Sequence, residues 1–550
     1  MFEEDRIPRV AYFCMEYGLN VEFQIYSGGL GILAGDMLKS AHDLGMPLVG
    51  IGLLWHYGYT TQLIGPDGKP YDTFPVHQYE FLHDTGVSVT VRIKDQDVVC
   101  KVWMVDRYNN VPLYLLDTNL PENGIYKDIT GCLYGGPHET RIAQEIVLGI
   151  GGVRALRALN IDVDVYHFNE GHAVLAATEL IREQERDGFK FEEAWRDIRR
   201  RIVFTTHTPV LAGNESHTLE SLEPMGAFNG LTAEQMEAIG GNPFNMTVGG
   251  LRVARISNAV AQLHGHTARA MWKHVNQAAP IIAITNGVHT PSWRDPEMTQ
   301  AFEQEGDLWS VHQKLKQELV REVAARTGSQ LNPNALLIGF ARRAAPYKRA
   351  NLIFQNPAII DPLLRDGKLQ LIFAGKAHPQ DEMGKNIITS IVSMSRRYPN
   401  SIVFLQNYDM VIGRILTRGC DVWLNNPRRP MEASGTSGMK AAMNGVLNLS
   451  VLDGWWPEGC QHGITGWQIG NGYEGPGQDE HDLTALHQVL LDEVIPTYYC
   501  NKERWVQMMR ASITMSHYQF SAERMVKEYY SRMYLPADIY WRRLSLGPRA

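Results

Sequence analysis

The chain has 550 residues, 44% of them hydrophobic and 20% charged, with a formal net charge of -8. That size holds about two to four globular domains with full cores, and the acidity excludes a general binder of nucleic acid or anionic membranes. No apolar run approaches the roughly 20 residues that span a bilayer; six scattered cysteines with no C-x-x-C pair and no secretory leader read as reduced thiols of a cytoplasmic protein.

Residues 9–15 predict a first buried strand, and Ile25-Tyr-Ser-Gly28-Gly29-Leu30-Gly31 a glycine-rich turn into a helix over 33–44. A glycine loop opening a helix is what a phosphate-binding unit shows, although glycines mark any tight turn. A second apolar strand follows over 47–54. The alternating stretches 87–93 and 98–104 then predict antiparallel strands at the edge of the core. The pattern is helical from 139 to 159. Strands over 163–168 and 202–206 end in polar tips, Asn169-Glu170-Gly171-His172 and His207-Thr208-Pro209. In an open parallel sheet such tips face the ligand crevice, but both histidines read equally as loop or capping residues. His172, His207, His264 and His266 lack the short i, i+4 pairing of a metal-binding helix, so no metal site is expected.

A strand over 280–285 ends in Asn286-Gly287, with Trp293 shortly after, and a helix is predicted over 308–327. A fresh series of strands follows over 336–340, 369–373, 402–405, 420–424 and 446–451, mostly separated by helical segments. Two consecutive α/β series predict two doubly wound, Rossmann-like domains facing a central cleft, residues 1–305 and 306–550, joined near 290–330. The glycine-rich stretch 466–477 reads as a loop at the cleft edge, and the aromatic-rich helices over 505–533 as packing back across the hinge.

Two stretches of the second series carry chemistry. Straight after the strand at 336–340 come Arg342, Arg343, Lys348 and Arg349, four cations that would face the crevice and hold anions; the alternative is a basic loop in solvent. The other stretch is Pro430-Met431-Glu432-Ala433-Ser434-Gly435-Thr436-Ser437-Gly438-Met439-Lys440, placed between a strand and a helix start at Lys440. Small residues there leave backbone amides to favour a phosphate. The lysine could pair with that phosphate or form a Schiff base with an aldehyde cofactor, or it could simply be an exposed residue behind an ordinary helix cap. It is not a Walker A loop, because Met439 and Ala441 break that spacing.

The string Glu-Ala-Ser-Gly-Thr-x-x-Met-Lys resembles the pyridoxal-phosphate motif of the α-glucan (glycogen, starch, maltodextrin) phosphorylases, and the resemblance covers the chain from Tyr12 to about residue 520. It implies a GT-B-type architecture and Lys440 as the cofactor lysine; the family's usual asparagine two residues earlier is Gly438 here. Arg342-Arg343-x-x-x-Tyr347-Lys348-Arg349 resembles the start of the family's second domain. By that likeness Arg343 and Lys348 grip the reacting phosphate, Arg342 stands near the cofactor phosphate and Tyr347 reaches the sugar. Ala345 and Pro346 replace the His-Glu of the animal enzymes. Gly28, Gly29, Leu30 and Gly31 match the family's Gly-Gly-Leu-Gly loop, whose amides approach phosphate. Asn286 is implied to contact a glucose hydroxyl and Trp293 the cofactor. Glu432, Ser434 and Gly435 fall at glucose-contacting positions, Thr436 and Ser437 near the cofactor phosphate, and Tyr408 at the aromatic position before the motif. Thr206-His207-Thr208 resembles Asn-His-Thr, whose histidine touches the glucose 6-hydroxyl, without the asparagine.

What the resemblance implies is a hexosyltransferase that uses pyridoxal 5'-phosphate and inorganic phosphate to release α-D-glucose 1-phosphate, with retention, from the non-reducing end of an α-1,4-glucan. The protein is expected to be cytoplasmic, to form a homodimer, and to lack the N-terminal regulatory segment of the animal enzymes and their control by AMP. Two alternatives stand beside it. A nucleotide-sugar-dependent glucan synthase of the same fold usually has a lysine where this chain has Tyr26, and a glucan-binding protein that has lost activity is motivated by Gly438, Ala345 and Pro346.

Overall fold

The apolar runs of the first half form a nine-stranded sheet in the order Ile281–Ala283, Ile256–Ala259, Ile202–Thr205, Val165–Asn169, Val10–Phe13, Leu48–Leu53, Leu113–Asp117, Gln96–Val105, His83–Ile93. The first seven are parallel and the last two antiparallel. The burial patterns follow from this. Val10–Phe13 is buried at every position, as a strand covered on both faces must be. In His83–Ile93 the side chains of Val89, Val91 and Ile93 turn inward while Thr90 and Arg92 face water. The helix Gly29–Asp43 lies so close to the preceding chain that a Cβ at Gly35 would come 2.1 Å from the carbonyl oxygen of Gly18, and only glycine fits.

The second half forms a six-stranded, all-parallel sheet in the order Ile402–Leu405, Leu369–Ala374, Leu336–Ala341, Val422–Asn425, Leu447–Val451, Gly466–Ile469. The chain builds outward from Leu336–Ala341 in one direction, returns to Val422–Asn425 and builds outward in the other. The tips of those two central strands therefore flank a topological switch point, where open α/β sheets bind ligands. In the first sheet the switch lies between Val10–Phe13 and Val165–Asn169.

This computed structural model describes residues 7–210 and 213–535, and its contacts divide the chain into two units. The first takes the chain through Tyr59, residues 74–285 and the chain from Ala522; the second takes Thr60–Thr73 and Asn286–Ser521. Where the sequence reading sets one division between 305 and 306, the chain crosses at 285/286 and again at 521/522. The excursion Thr60–Thr73 is an antiparallel hairpin. Gln62 exchanges hydrogen bonds of 2.9 and 3.1 Å with the backbone of Ala377, and Lys376 Nζ donates to the Thr60 carbonyl at 2.7 Å. Such bonds between residues more than 300 positions apart leave no trace in local sequence.

The aromatic C-terminal helices do return from the second unit to the first, as expected. Lys502–Ser516 packs in the second unit, Trp505 lying 5.6 Å from Trp467, whereas Tyr529 and Tyr534 belong to the first, with Tyr534 Oη 2.7 Å from His167 Nδ1 and Tyr529 Oη accepting from Asn258. Gly466–Ile469, read as loop, is the edge strand of the second sheet, because Trp467 and Ile469 are fully buried and outweigh the glycine signal. Ile256–Ala259 was not foreseen as a strand, since buried Ser257 and Asn258 break its apolar run. The helix Leu308–Thr327 falls where its signals put it, with Asp307 accepting from the amide of Ser310 and Gly328 closing it at φ 77°.

All six cysteines are free, and no helix among the described residues is long and apolar enough to cross a membrane. Most of the stretch before Arg9, where the absence of a regulatory segment is expected, lies outside the described residues.

Candidate active site

The switch point of the second unit gathers charge. Arg342 follows strand Leu336–Ala341 and its Nη1 donates to Asn425 Oδ1 at the tip of Val422–Asn425, so one guanidinium spans the two central strands. Its Nη2 donates to Glu432 Oε2. Lys348 reaches the same carboxylate, with Nζ 3.0 Å from Oε1 and 2.7 Å from Oε2. All three residues are buried. Burial alone would raise the Glu432 carboxyl, but Arg342 and Lys348 outweigh it and hold it at about 2. Arg343, by contrast, is exposed. Two buried cations share one buried anion. The group is net positive and suits a phosphate dianion.

Pro346 opens the short turn Pro346–Lys348 that carries Tyr347 and Lys348, a position where its fixed φ and missing N–H cost nothing. This gives the departure from His-Glu a physical meaning. Arg349 departs from the expectation that all four cations face the crevice. It is buried in ion pairs with Asp479 (2.9 Å) and Asp482 (2.7 Å) and in bonds to the carbonyls of Asn426 and Pro427, so its charge is consumed in holding the loop.

The motif loop wraps Arg342. Gly435 sits at φ 83°, and a Cβ there would be 3.4 Å from Arg342 Nη2. Behind the loop the wholly buried Asp453 accepts from the amides of Glu432 (2.9 Å) and Gly454 (2.8 Å). Burial pushes Asp453 up to about 7, the Glu432 amide opposing and the Glu432 charge adding to the rise. An unfolded aspartate titrates at about 3.9, and each pH unit separating the folded from the unfolded value corresponds to about 1.4 kcal/mol. The Asp453 contribution to stability is thus fully present below about pH 4 and lost as pH rises through about 7, whereas that of Glu432 is present above its unfolded value and lost as pH falls towards about 2. Asp453→Asn should flatten the fall in urea midpoint between about pH 5 and 7.5; a slope equal to that of the parent protein would refute the assignment.

Lys440 lies in the middle of the helix Ser437–Met443 and not at its start, and it is 7% exposed, which removes the exposed-lysine alternative. Its Nζ sits 3.4 Å from the centre of the Trp293 ring. Asn444 joins the two, donating to the carbonyls of Lys440 (2.8 Å) and Trp293 (3.1 Å) and accepting from the amide of Asp295 (2.8 Å). Arg418 donates to the carbonyls of Trp293 and Arg294. Thr436 precedes the helix, Ser437 Oγ accepts from Trp423 Nε1 at 3.2 Å, and Ser434 Oγ is buried with no hydrogen-bond partner among the described residues. Tyr408, pushed up to about 12 by burial and Asp409, lies close enough to Arg342 to feel its charge. Asn286 is buried where the chain enters this unit.

Gly438 has its own explanation. A Cβ there would meet Asn448 Oδ1 at 2.6 Å and Trp455 Nε1 at 2.9 Å, and Asn448 Nδ2 bonds the Gly438 carbonyl at 3.0 Å. The space that an asparagine side chain needs is filled by Trp455 and Asn448. Gly438→Asn should therefore cost about 1–3 kcal/mol, and Trp455→Ala should recover part of that loss in the double variant. Urea denaturation of the four proteins measures the coupling; strict additivity would contradict it.

In the first unit the expected residues gather at its own switch point. Glu16, just past Val10–Phe13, accepts from the amides of Ser27 (2.6 Å) and Gly28 (3.2 Å) and from Tyr134 Oη (2.8 Å), which fixes the loop carrying Gly28, Gly29, Leu30 and Gly31. Cβ atoms at Gly28 or Gly29 would meet nothing within 4 Å, whereas one at Gly31 would come 2.5 Å from Glu16 Oε2. Gly28 and Gly29 leave backbone open to an approaching ligand. His207 Nε2 is 2.5 Å from Asn169 Oδ1, and its amide and Thr208 Oγ1 both donate to Glu170, held at φ 76°. Burial, reinforced by His264 and His172, pulls His207 down to about 3, so it works as a neutral imidazole. Sequence reasoning missed Glu16, Asp453, Asn444 and Arg418, and placed Glu170 only as part of a polar strand tip facing the crevice. It also missed Lys376, which burial pulls down to about 8. Only Lys376 carried a signal, a Gly-Lys pair at a strand's end.

Two doubly wound sheets with such strand tips are the architecture of GT-B-type transferases. Residues 294–458 match the carbohydrate phosphorylase family. The chain is 41% identical to the maltodextrin phosphorylase of Thermococcus litoralis, over 96% of this chain and 70% of that protein. It is 39% identical to the glycogen phosphorylase of Mycobacterium bovis (97% and 71%) and 34% identical to that of Aquifex aeolicus (97% and 87%). The chain belongs to the carbohydrate phosphorylase family.

Proposed function

We propose that the protein carries out phosphorolysis of an α-1,4-glucan from its non-reducing end, transferring the terminal glucosyl unit to inorganic phosphate as α-D-glucose 1-phosphate with retention. The observation that supports it most is the buried Glu432 carboxylate held by two buried cations, Arg342 and Lys348. Such a set offers net positive charge at a strand-tip switch point, and family membership supplies the class of reaction.

Dependence on pyridoxal phosphate is general to this family, and the residues here fit that group. Lys440 offers a buried primary amine against the flat Trp293 ring, and Thr436, Ser437, Tyr408, Arg342 and Gly29 are the further residues that would hold it. When bound, the cofactor supplies a phosphate group whose second ionisation at about pH 6 suits proton exchange with the substrate phosphate. The chain's own residues do the rest. Arg343 and Lys348 bind the substrate phosphate and offset charge repulsion. Its oxygen forms the new bond to the glucosyl carbon as the glycosidic oxygen leaves, taking up a proton from that phosphate. Glu432, Ser434, Gly435, Asn286, Tyr347 and neutral His207 orient the sugar hydroxyls, and Gly28, Leu30 and Gly31 present backbone to the substrate.

The test is an absorbance spectrum before and after borohydride, followed by peptide mapping. A pyridoxyl group on Lys440 is the expected result. No chromophore even after addition of pyridoxal phosphate would overturn the reading.

A further inference from the structure

We propose that His217, Glu145 and Glu215 form a site for a divalent transition cation of the zinc class, with His138 as its outer hydrogen-bond partner. The donors come from two separate segments of the first unit. The helix His138–Ile146 supplies His138 and Glu145; the short strand Ser216–His217, with Glu215 just before it, supplies the others. One donor atom from each of Glu145, Glu215 and His217 lies within 4.8 Å of the other two. Donors around a tetrahedral zinc stand about 3.5 Å apart, so small side-chain shifts close the shell.

Hydrogen bonding also favours a cation at this place. Glu145 and His217 have fully buried side chains. His217 Nε2 bonds Glu145 Oε2 at 2.8 Å, whereas Glu145 Oε1 meets no N–H or hydroxyl donor among the described residues and faces the Glu215 carboxylate. The cation beside the two carboxylates is Arg141, whose Nε and Nη2 grip Glu215 at 2.9–3.0 Å and whose Nε stands 3.7 Å from Glu145 Oε1. A carboxylate has about four lone-pair sites, so the grip of Arg141 leaves Glu215 room for a metal.

His217 Nδ1 is 2.8 Å from His138 Nε2. An outer partner of this kind orients a metal-bound imidazole and fixes its tautomer: Nε2 faces the ion without a proton, and Nδ1–H donates to His138. One imidazole and two carboxylates suit zinc better than magnesium or calcium, which take oxygen ligands. His138 is exposed and Glu215 half-buried, which gives the ion an entry route. A bound ion would staple the segment ending at His217 to the helix His138–Ile146.

The test uses the full-length protein, stripped with a chelator and titrated with Zn²⁺ and separately Co²⁺. The expected result is about one equivalent of Zn²⁺ bound, a rise in Tm, and visible Co²⁺ bands of a low-coordinate site. His138→Ala should weaken binding by about 10–100-fold, and Glu215→Gln, at a half-buried position, should weaken it at least as much while circular dichroism stays unchanged. His217→Gln should abolish it; should that variant fail to fold, Glu215→Gln still decides. No stoichiometric uptake, or uptake equally strong in Glu215→Gln and His138→Ala, would show an adventitious ion only and overturn the site.

Discussion

Lys440→Ala should leave a folded protein whose phosphate-dependent release of glucose 1-phosphate falls by at least about a thousandfold, the scale seen when a group acting at the reacting centre is removed. The side chain lies on a short helix that follows strand Val422–Asn425 and precedes strand Leu447–Val451 along the chain, and its amine rests on Trp293. The backbone bonds of Asn444 to the carbonyls of residues 440 and 293 do not depend on the lysine side chain. Stability should therefore change much less than activity. The readouts are glucose 1-phosphate formation, absorbance of bound pyridoxal phosphate and the urea midpoint. Normal activity in Lys440→Ala would end the assignment of this residue, whatever its effect on stability.

Lys348→Met should act on two quantities at once. Met keeps the apolar stem but removes one of the two cations on Glu432, and breaking a buried ion pair from one side costs about 3–5 kcal/mol. Arg342 still pairs with Glu432, so the low end of that range is expected. Activity should fall by about a hundredfold or more, chiefly as a weaker apparent affinity for phosphate. The double variant Lys348→Met/Glu432→Gln separates the two effects, because the uncompensated carboxylate is gone. Stability should return towards the parent value while phosphorolysis stays low. Recovery of both together would mean that Lys348 serves only to neutralise Glu432 and has no part in holding phosphate.

The likeness of the chain to phosphorylases was legible because its motifs are local. Residues 342–349 and 430–440 are short strings, and the strands that carry them are apolar runs with glycine and polar residues at their ends. The helix Leu308–Thr327 was legible for the same reason, its cap at Asp307 and its stop at Gly328 being written within a turn of its ends. Other parts were not local. Trp467 and Ile469 make a buried strand from a glycine-rich stretch, and Ser257 and Asn258 are polar side chains inside a sheet.

Residue types and spacing were thus enough for the α/β class and the two series of strands, and the likeness of two local motifs for the family. Which cation does what was decided by packing. Arg349 and Lys348 are sequence neighbours, yet the left-handed backbone at Arg349 sends its side chain to Asp479 and Asp482 while Lys348 meets Glu432. The assignment of residues 60–73 and of Ala522 onward to their units, the rise of Asp453 and the grouping of His217 with Glu145 and Glu215 rest on pairs separated by tens to hundreds of residues. Burial and long-range electrostatics act through space, and a sequence records order along the chain.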